Sequence, residues 1–423
     1  MRRVLPNFVR RSGLGQSLFV VDHSHLVAQL DRWHRELPRV AVRYAVKCNP
    51  DPKLLKTLAR AGCGFDCATP SEIRAALAAG CPAGDVVYAH TRKSPLDLRA
   101  ANRLGVRLTT FDSHDELLKL WAIHPRAELL LRLHVDDATA QCPLGNKFGA
   151  RLDEAHGLLD HAWRLGLSVA GVSFHVGSGC RDPASFPRAL EQASQIFSMR
   201  PSGGLCAAET RSMDTLDIGG GFPGGESAAR AAAAFATLCT PLRASLDRLF
   251  PPSRGVRLLA EPGRFFAAGS HTLLCSVIGV DRRGCFVSDS VYGSFNCIHN
   301  DHSKPEPVAV WRSLRHPSEG GESLLRVTAL GGERCSPTGM LQTTVFGQTC
   351  DGLDVVHERL DLPVDLRLGD ALLYPDMGAY TVCASSRFNG FPRPVPLHLY
   401  GEEGREWGQI VDAARQQRAS PGC

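Results

Sequence analysis

The sequence predicts an α/β protein: a (β/α)8 barrel of the TIM type followed by a second, mostly antiparallel β domain. Between about residues 40 and 265, short apolar runs alternate with amphipathic helical patterns, as parallel strands with crossover helices require. After residue 266 the runs are rich in β-formers, are broken by Gly, Pro and Asp, and show little helical periodicity. No G-x-G-x-x-G follows the first strand, which argues against an open doubly wound sheet.

The barrel elements follow in order from this alternation. The eight predicted strands are residues 42–47, 64–68, 86–89, 107–111, 129–134, 169–175, 215–218 and 257–261. The helical patterns between them are residues 52–61, 71–79, 95–104, 115–123, 152–165, 184–198 and 228–249. We therefore expect one domain over residues 22–266.

The β domain is expected over residues 267–423, together with the N-terminal segment 1–21. Its predicted strands are residues 273–280, 285–290, 324–329, 354–361 and 366–374. Residues 306–342 mix Pro, Gly, Ser and Arg in irregular order, which predicts a long surface loop or flexible insertion.

Composition narrows the class of function. A chain of 423 residues with 43% hydrophobic and 22% charged residues is ordinary globular protein. The net charge of +5 is small and its basic residues are scattered, which argues against a nucleic-acid binder. No apolar stretch approaches the ~20 residues of a membrane helix. The 15 cysteines include no CxxC and no zinc-site spacing, so we expect no metal and reduced thiols in the cytoplasm. The arginines among the first 13 residues favour a basic tail over a transit peptide.

Polar residues stand at the predicted carboxyl ends of the barrel strands, where barrels of this type place their catalytic groups. They are Lys47, Asp66, Arg132, His134, His175, the glycines Gly219, Gly220 and Gly221, Glu261 and Arg264. Each alone has an ordinary structural interpretation: a solvated charge, an ion pair, a core histidine or a tight turn. Because the carboxyl ends of parallel barrel strands lie at the same end of the barrel, which we call the barrel mouth, these residues are expected to lie together there. This arrangement predicts an active site.

The residue types at this mouth suit a phosphorylated, planar, carbonyl-bearing cofactor. A desolvated lysine such as Lys47 is what Schiff-base chemistry needs. The glycine run lets backbone N–H groups approach a phosphate, to which Arg264 could add a charged fork. Glu261 could hold a pyridine nitrogen protonated, and His175 could stack on the ring.

The chain resembles the fold-III pyridoxal-phosphate decarboxylases, which have the alanine-racemase-like fold, and within them the eukaryotic-type ornithine decarboxylases. The matching stretches run in family order over nearly the whole chain. They are residues 44–49 (YAVKCN), 64–68 (GFDCA), 171–179 (GVSFHVGSG), 216–224 (LDIGGGFPG), 261–264 (EPGR), 292–297 (YGSFNC), 350–354 (CDGLD), 377–380 (MGAY) and 388–391 (FNGF).

The resemblance implies a role for each site residue. Lys47 would carry pyridoxal 5'-phosphate covalently, Glu261 would pair with its pyridine nitrogen, and His175 would stack on its ring. The phosphate ligands would be Ser178, Gly219, Gly220, Gly221, Arg264 and Tyr380. Asp66, Glu72 and Arg132 would surround the cofactor and the lysine.

The resemblance also implies a substrate and an assembly. Cys350, reaching the site from the other subunit, would return a proton to Cα after decarboxylation of L-ornithine to putrescine in polyamine biosynthesis. The substrate contacts would be Asp301, Asp351 and Phe388, the two aspartates holding the distal ammonium. The active sites would be shared in a homodimer, with Lys147 and Asp354 pairing across its interface.

Departures from the family pattern leave some questions open. Asn300 stands where relatives carry tyrosine, and residues 346–348 read Phe-Gly-Gln in place of Trp-Gly-Pro, so lysine or arginine remain alternative substrates. A catalytically dead regulator similar to the antizyme inhibitors is a further alternative, but it predicts eroded cofactor contacts, and those residues are present. The chain ends at Cys423 without the long tail of animal relatives, so antizyme binding is not carried over.

Overall fold

The structure is a computed structural model that describes residues 15–200, 212–225, 228–313, 325–330 and 339–419. The chain divides into two compact units. We call Gln29–Gly224 with Ala229–Phe265 the barrel unit, and Met1–Ala28, Gly225–Ala228 and Phe266–Cys423 the sheet unit.

Eight parallel strands of the barrel unit close on themselves in chain order, which confirms the predicted barrel. They are β2 (Val40–Ala45), β3 (Gly64–Cys67), β4 (Val86–Tyr88), β5 (Leu108–Phe111), β6 (Glu128–Arg132), β7 (Ser168–Ser173), β8 (Thr215–Asp217) and β9 (Arg257–Ala260). Seven of the eight strands end one or two residues earlier than predicted, and β5 ends at Phe111 as predicted. Lys47, His175 and Glu261 therefore lie just beyond their strands rather than in them.

Helices connect these strands and continue into the sheet unit. In chain order they are α1 (His23–Glu36), α2 (Pro52–Arg60), α3 (Pro70–Ala78), α4 (Pro95–Arg103), α5 (His114–Ile123), α6 (Leu152–Arg164), α7 (Ser185–Phe197), α8 (Ala228–Leu249), α9 (Arg264–Ala267), α10 (Cys297–Asn300) and α11 (Gly401–Ala419). Three of them begin with proline after a capping side chain, Asp51, Thr69 or Ser94, that accepts backbone N–H groups of the first turn. Proline has no N–H to leave unpaired there, so each helix starts sharply.

Apolar side chains from neighbouring barrel strands form a buried cluster. It consists of Val87, Leu108, Leu130, Ala170 and Leu259. Such a packed interior is a core and not a pore, so chemistry is confined to the rim where the strands end.

The sheet unit is a nine-stranded sheet. Its strands are β1 (Leu18–Asp22), β10 (His271–Asp281), β11 (Gly284–Val287), β12 (Ala309–Ser313), β13 (Leu325–Ala329), β14 (Met340–Phe346), β15 (Val355–Pro363), β16 (Ala371–Tyr374) and β17 (Val395–Leu399). The order is β13-β12-β16-β10-β11-β14-β15, with β1 bound to β10 and β17. Pairing is mostly antiparallel, as predicted, with parallel pairs at β1–β17 and β11–β14.

The predicted loop over residues 306–342 is wrong wherever the structure describes it as strand. Within this range β12 and β13 form an antiparallel pair, and β14 begins at Met340. Strand β12 is held in the sheet by a partner distant in sequence, because it also pairs with β16, with Ala309 opposite Leu373. Residues 314–324 and 331–338 lie outside the described residues, as does the arginine-rich segment before residue 15.

Helix α11, which the sequence analysis did not predict, packs on the sheet through three of its side chains. Trp407, Val411 and Ala414 are buried in one cluster with β1 residues, and Trp407 Nε1 donates to Thr272 Oγ1 at 3.2 Å. This i, i+4, i+7 spacing is the apolar stripe of a helix covering a core. Among the described residues, no helix is both long and apolar enough to cross a membrane.

Candidate active site

Lys47 lies at the mouth of the barrel, on the turn that follows β2. A 3-10 turn over Val46–Cys48 lifts its side chain out of the strand, and 37% of that side chain is exposed. Its Nζ donates to Asp66 Oδ2, which belongs to the next strand, β3, and is completely buried. The amine is therefore held by a buried anion yet stays reachable from solvent.

Glu72 supports the end of β3 from the first turn of α3. Its Oε2 accepts the backbone N–H of Ala68 at 2.6 Å, just beyond the strand. Burial raises the pKa of Glu72. This carboxyl thus fixes the backbone two residues after Asp66 and acts on the site through that backbone.

The imidazole of His175 is neutral and stands against the glycine run. Its Nδ1 accepts the backbone N–H of Gly177 at 3.0 Å, so that nitrogen carries no proton. Burial, together with the positive charges of Arg132 and Lys47, holds the pKa of His175 well below its ordinary value. A Cβ atom placed on Gly220 would lie 2.7 Å from His175 Nε2. The ring can therefore offer a flat neutral face, but only because residue 220 is glycine.

The three glycines form a tight cradle after β8. Gly219 and Gly221 have φ of +65° and +113°, and a Cβ on Gly219 would lie 1.9 Å from the carbonyl oxygen of Phe174. Close by in the same unit, Arg264 Nη2 donates to Ser178 Oγ at 3.0 Å. Backbone N–H groups in glycine turns, a guanidinium and a hydroxyl are the donors that phosphate oxygens accept.

Glu261 follows β9 and is buried with Asp217 at the end of β8. The Glu261 backbone N–H donates to Gly219 O at 2.7 Å, which ties the two strand ends together. Burial first, and then the neighbouring charges of Asp217 and Asp66, raise the pKa of Glu261 well above its ordinary value. This carboxyl is placed in a strongly acidic, desolvated corner of the barrel mouth.

Arg132 and Lys147 flank one aromatic ring at the rim. The Arg132 guanidinium lies 4.9 Å from the centre of the Phe148 ring, and Lys147 Nζ lies 5.1 Å from it. Lys147 is exposed. His134, a further strand-end residue, is also exposed and stays without an assigned role.

In the sheet unit, Cys350 and Asp351 lie on one turn that two other segments hold. The Cys350 backbone N–H donates to Asn389 Oδ1 at 3.0 Å, and the Cys350 side chain is exposed. The Tyr292 hydroxyl donates to Asp351 Oδ2, while Asp351 Oδ1 accepts the Leu353 N–H. The Tyr292 ring packs against Phe388 with centroids 4.6 Å apart.

The other predicted residues of the sheet unit have different surroundings. Asp301 is buried and its Oδ2 accepts the Ser303 hydroxyl at 2.7 Å. Asp354 is also buried, and its carboxylate accepts the N–H groups of Val291 and Thr349 and the Thr349 hydroxyl. Tyr380 has a φ of +55°, a left-handed backbone conformation that is unfavourable for tyrosine.

The structure thus groups the predicted residues within each unit. Lys47, Asp66, His175, the glycines and Glu261 meet at the barrel mouth, and Cys350, Asp351 and Phe388 meet in the sheet unit. The described contacts do not join Asp301 to Asp351. Sequence reasoning assigned no role to Asp217, Tyr292 and Asn389; the first two lie in the matched motifs at 216–224 and 292–297, and Asn389 in the one at 388–391.

Comparisons with known proteins agree with this geometry. The family model described as "Pyridoxal-dependent decarboxylase, pyridoxal binding domain" matches residues 23–268. The ornithine decarboxylase of Caenorhabditis elegans is 37% identical, over 94% of this chain and 90% of the relative. That of Schizosaccharomyces pombe is 41% identical, over 90% of this chain and 83% of the relative. The crystal structure of the Paramecium bursaria Chlorella virus arginine decarboxylase has a TM-score of 0.80 and 33% identity, covering 94% of this chain and 100% of that one.

Proposed function

The chain belongs to the pyridoxal-dependent decarboxylases, and from this premise we propose that it converts L-ornithine to putrescine and carbon dioxide. The observation that carries the proposal is the barrel mouth: a lysine, a buried glutamate, a neutral histidine and a glycine cradle converge there. Two relatives named ornithine decarboxylase, each matched over 90% or more of this chain, support the choice of substrate. The product makes the enzyme a carboxy-lyase of polyamine biosynthesis.

The residues present fit pyridoxal phosphate. Residues 219 to 221 have no room for side chains, since each Cβ would lie 2.7 Å or closer to a neighbouring protein atom. Without side chains, their backbone N–H groups are free of the bulk that would keep a phosphate away. Asp66 Oδ1 is buried with no donor among the described residues, so that carboxylate can orient a further donor besides Lys47. Lys47 would anchor the cofactor, Glu261 would face its ring nitrogen, and Ser178 and Arg264 would bind its phosphate.

When bound, the cofactor supplies an electron sink for the pair left at Cα as the carboxylate departs. The protein's own groups control where charge and protons lie. Glu261 would keep the ring nitrogen of the bound cofactor protonated, which would strengthen that sink. The neutral His175 would lie against its ring without adding positive charge. Cys350 supplies a proton to Cα, a role that fits its exposed thiol on a turn fixed by Asn389.

Two short carboxylates, Asp301 and Asp351, would bind the distal ammonium of the substrate. Lysine is longer by one methylene, a difference worth roughly 1–3 kcal/mol in a fitted pocket, and arginine carries a bulky planar guanidinium. Asn300 removes the aromatic wall of relatives, and its amide reaches back to Asn296 at 3.4 Å. We therefore expect ornithine to be preferred with some activity towards lysine, and Asn300→Tyr to sharpen the preference.

Two measurements test this proposal. Borohydride reduction of the purified protein, followed by peptide mapping, should place the pyridoxyl group on Lys47, and a Lys53→Ala control should leave the label in place. Product assays should give a higher kcat/KM for ornithine than for lysine or arginine. A label on another lysine or nowhere contradicts the cofactor site, whereas a preference for arginine or lysine contradicts only the substrate.

We further propose that the active sites are shared in a homodimer, in which Cys350 of one subunit serves Lys47 of the other. The support is that the two residues belong to different units and that the family resemblance joins them across an interface, with Lys147 and Asp354 as the pairing residues. Mixing inactive Lys47→Ala and Cys350→Ala proteins should restore about a quarter of wild-type activity if subunits exchange randomly. No recovery despite demonstrated exchange would place both residues in one chain's site.

We also propose the cytoplasm as the compartment. Many cysteines of the described part are buried, and burial raises the pKa of thiols such as Cys63 and Cys285 to about 12, which keeps them protonated and unreactive. Imaging of the tagged full chain in cells tests this; accumulation in an organelle would contradict it.

A further inference from the structure

Asp217 is an acidic side chain at the barrel mouth for which the mechanism above has no use. It ends β8, is completely buried, and its Oδ1 accepts the Gly219 N–H at 2.9 Å. Its Oδ2 is buried without a donor among the described residues. The group that does lie in hydrogen-bonding contact with the Asp217 carboxyl is the carboxyl of Glu261.

Two carboxylates in contact cannot satisfy each other, because an ionised carboxylate only accepts hydrogen bonds. One proton held between them removes the repulsion and supplies the missing donor. Burial, with Asp66 adding further negative charge, raises the pKa of Asp217 to about 6 and that of Glu261 well above its ordinary value. The pair therefore retains a proton at neutral pH.

The charged groups that face this pair from the neighbouring strands are Arg43, Lys47, Asp66 and Arg132. Arg43 is engaged by Asp85 at 2.8 Å, and Lys47 by Asp66. Arg43 and Lys47 thus have anionic partners of their own, and the Arg132 guanidinium lies against the Phe148 ring, 4.9 Å from its centre. A proton held between Asp217 and Glu261 therefore completes the neutralisation of their contact.

We propose that Asp217 is a positioning residue that shares one proton with Glu261 and so allows Glu261 to present an ionised oxygen to the cofactor's ring nitrogen. This inference rests on the proposed function. In the cofactor-free chain the proton lies on Glu261 and is donated to Asp217. When Glu261 accepts the ring N–H, the same proton lies on Asp217 Oδ2 and is donated to Glu261. Only that proton moves, from one carboxyl oxygen to the other.

An amide substitution separates this role from a purely structural one. Asparagine copies the shape of a protonated aspartate: its carbonyl oxygen can accept the Gly219 N–H and its NH2 can donate to Glu261. Asp217→Asn should therefore keep kcat within about threefold of wild type, whereas Asp217→Ala should lower kcat at least tenfold with little change in KM, because residue 217 does not touch the substrate. Asp214→Asn, which removes an aspartate just before the start of the same strand, is the matched control and should leave kcat unchanged.

The decisive measurement is infrared spectroscopy of the loaded protein at pH 8. The carbonyl-stretch band of a protonated carboxylic acid should be present in the wild type and in the control variant Asp214→Asn. In Asp217→Asn the band should lose the intensity of one carboxylic acid group. An unchanged band in Asp217→Asn overturns the shared proton, and so does a kcat as low as that of Asp217→Ala. If Asp217→Ala does not fold, the Asp217→Asn spectrum alone decides. Borohydride mapping to Lys47 on the same samples reports separately whether the proposed function holds.

Discussion

Alanine at Gly219 should weaken cofactor binding by a steric route that the structure lets us separate from backbone strain. Gly219 has a φ of +65°, in the left-handed region where a Cβ costs roughly 1–2 kcal/mol. In addition, that Cβ would lie 1.9 Å from the Phe174 carbonyl oxygen, so one backbone must retreat by about 1.5 Å to reach ordinary contact at 3.4 Å. Overpacking of this kind typically costs another 1–3 kcal/mol.

Gly255 offers the matched control. Its φ is +66°, almost the same as that of Gly219, but a Cβ there would meet nothing within 4 Å. Gly255→Ala should therefore show the strain alone, lowering the free energy of unfolding by about 1 kcal/mol without touching the site. The difference between the two variants measures the clash.

The clash at Gly219 should also weaken cofactor binding, because the atoms it displaces line the proposed site. The clash moves either the cradle or the backbone of Phe174, which directly precedes His175, and a misplacement of about 1 Å in a site can cost on the order of a hundredfold. Titration of the cofactor-free proteins with pyridoxal phosphate, followed by absorbance, should show at least a tenfold weaker Kd for Gly219→Ala than for Gly255→Ala. Equal Kd values for the two variants would refute the cradle.

Three further predictions concern single side chains. Asp217 has a folded-state pKa of about 6 against 3.8 in the unfolded chain, so its buried charge destabilises the cofactor-free fold increasingly as pH rises from about 4 to 6, by up to roughly 3 kcal/mol. In urea unfolding, Asp217→Asn should therefore raise the free energy of unfolding at pH 8 and raise it much less at pH 4.5. An equal gain at both pH values would contradict the pKa shift. Lys93→Met should cost about 3 kcal/mol in the same assay, because it removes the ammonium that lies 2.9 Å from the fully buried Glu116 carboxylate. Lys119 and the backbone N–H of residue 93 are the partners that remain for that carboxylate. Lys93→Met/Glu116→Gln should recover part of the loss, and no recovery would refute the buried-charge explanation. Tyr292→Phe removes a donor to Asp351 and should raise KM for ornithine several-fold at unchanged kcat and melting temperature; an unchanged KM would show that Asp351 does not need this hydroxyl.

The barrel could be predicted from the sequence because each of its elements carries a local signal. Every strand is a short apolar run, and the helices that start at Pro52, Pro70 and Pro95 are marked by a capping residue followed by proline. The predicted ends of seven strands are one or two residues too late, because the last residues of these runs lie beyond the ladder. That error matters at Lys47, which stands on a 3-10 turn rather than on the strand.

The sheet unit was harder to predict because its strands depend on distant partners. Strand β1 pairs in parallel with β17, joining Leu18 to Val395, and no local pattern reports such a contact. Strand β12 lies in a stretch whose composition is typical of a loop, yet it is ordered between β13 and β16. Helix α11 did carry a readable stripe, Trp407, Val411 and Ala414, within a segment that is otherwise mostly polar.

The candidate site, like the fold, could be predicted only in part from the sequence. Reactive or charged residues at the predicted strand ends could be selected from the sequence, and the family resemblance implied their roles. Asp217 could not be selected, because its proposed role depends on the carboxyl of Glu261, 44 positions later and just beyond the next strand. Asn389 acts only through the backbone of Cys350, a contact that spacing does not reveal.

The two units also differ in how their backbones hold functional residues. At the barrel mouth, hydrogen bonds beyond the strand ends, such as Glu261 N–H to Gly219 O, continue the ladder, and the residues with positive φ there are glycines such as Gly219 and Gly221. In the sheet unit, the non-glycine residues with positive φ in the described part of the chain all lie between 302 and 389: His302, Asp376, Tyr380 and Asn389. Such positions cost roughly 1–3 kcal/mol each and persist only where surrounding contacts enforce them.

We propose that the division into two units helps one family to act on several amino acids. The family model covers residues 23–268, which include every barrel strand, while relatives of similar fold are named for ornithine or for arginine. We propose that the turns just beyond the barrel strands hold the lysine, the glutamate and the glycines that any substrate of this chemistry requires. The turns of the sheet unit with positive φ adjoin Asp301 and hold Cys350. We therefore expect substitutions around residues 300 and 389 to change which amino acid is preferred, and substitutions at the barrel mouth to abolish activity on every substrate.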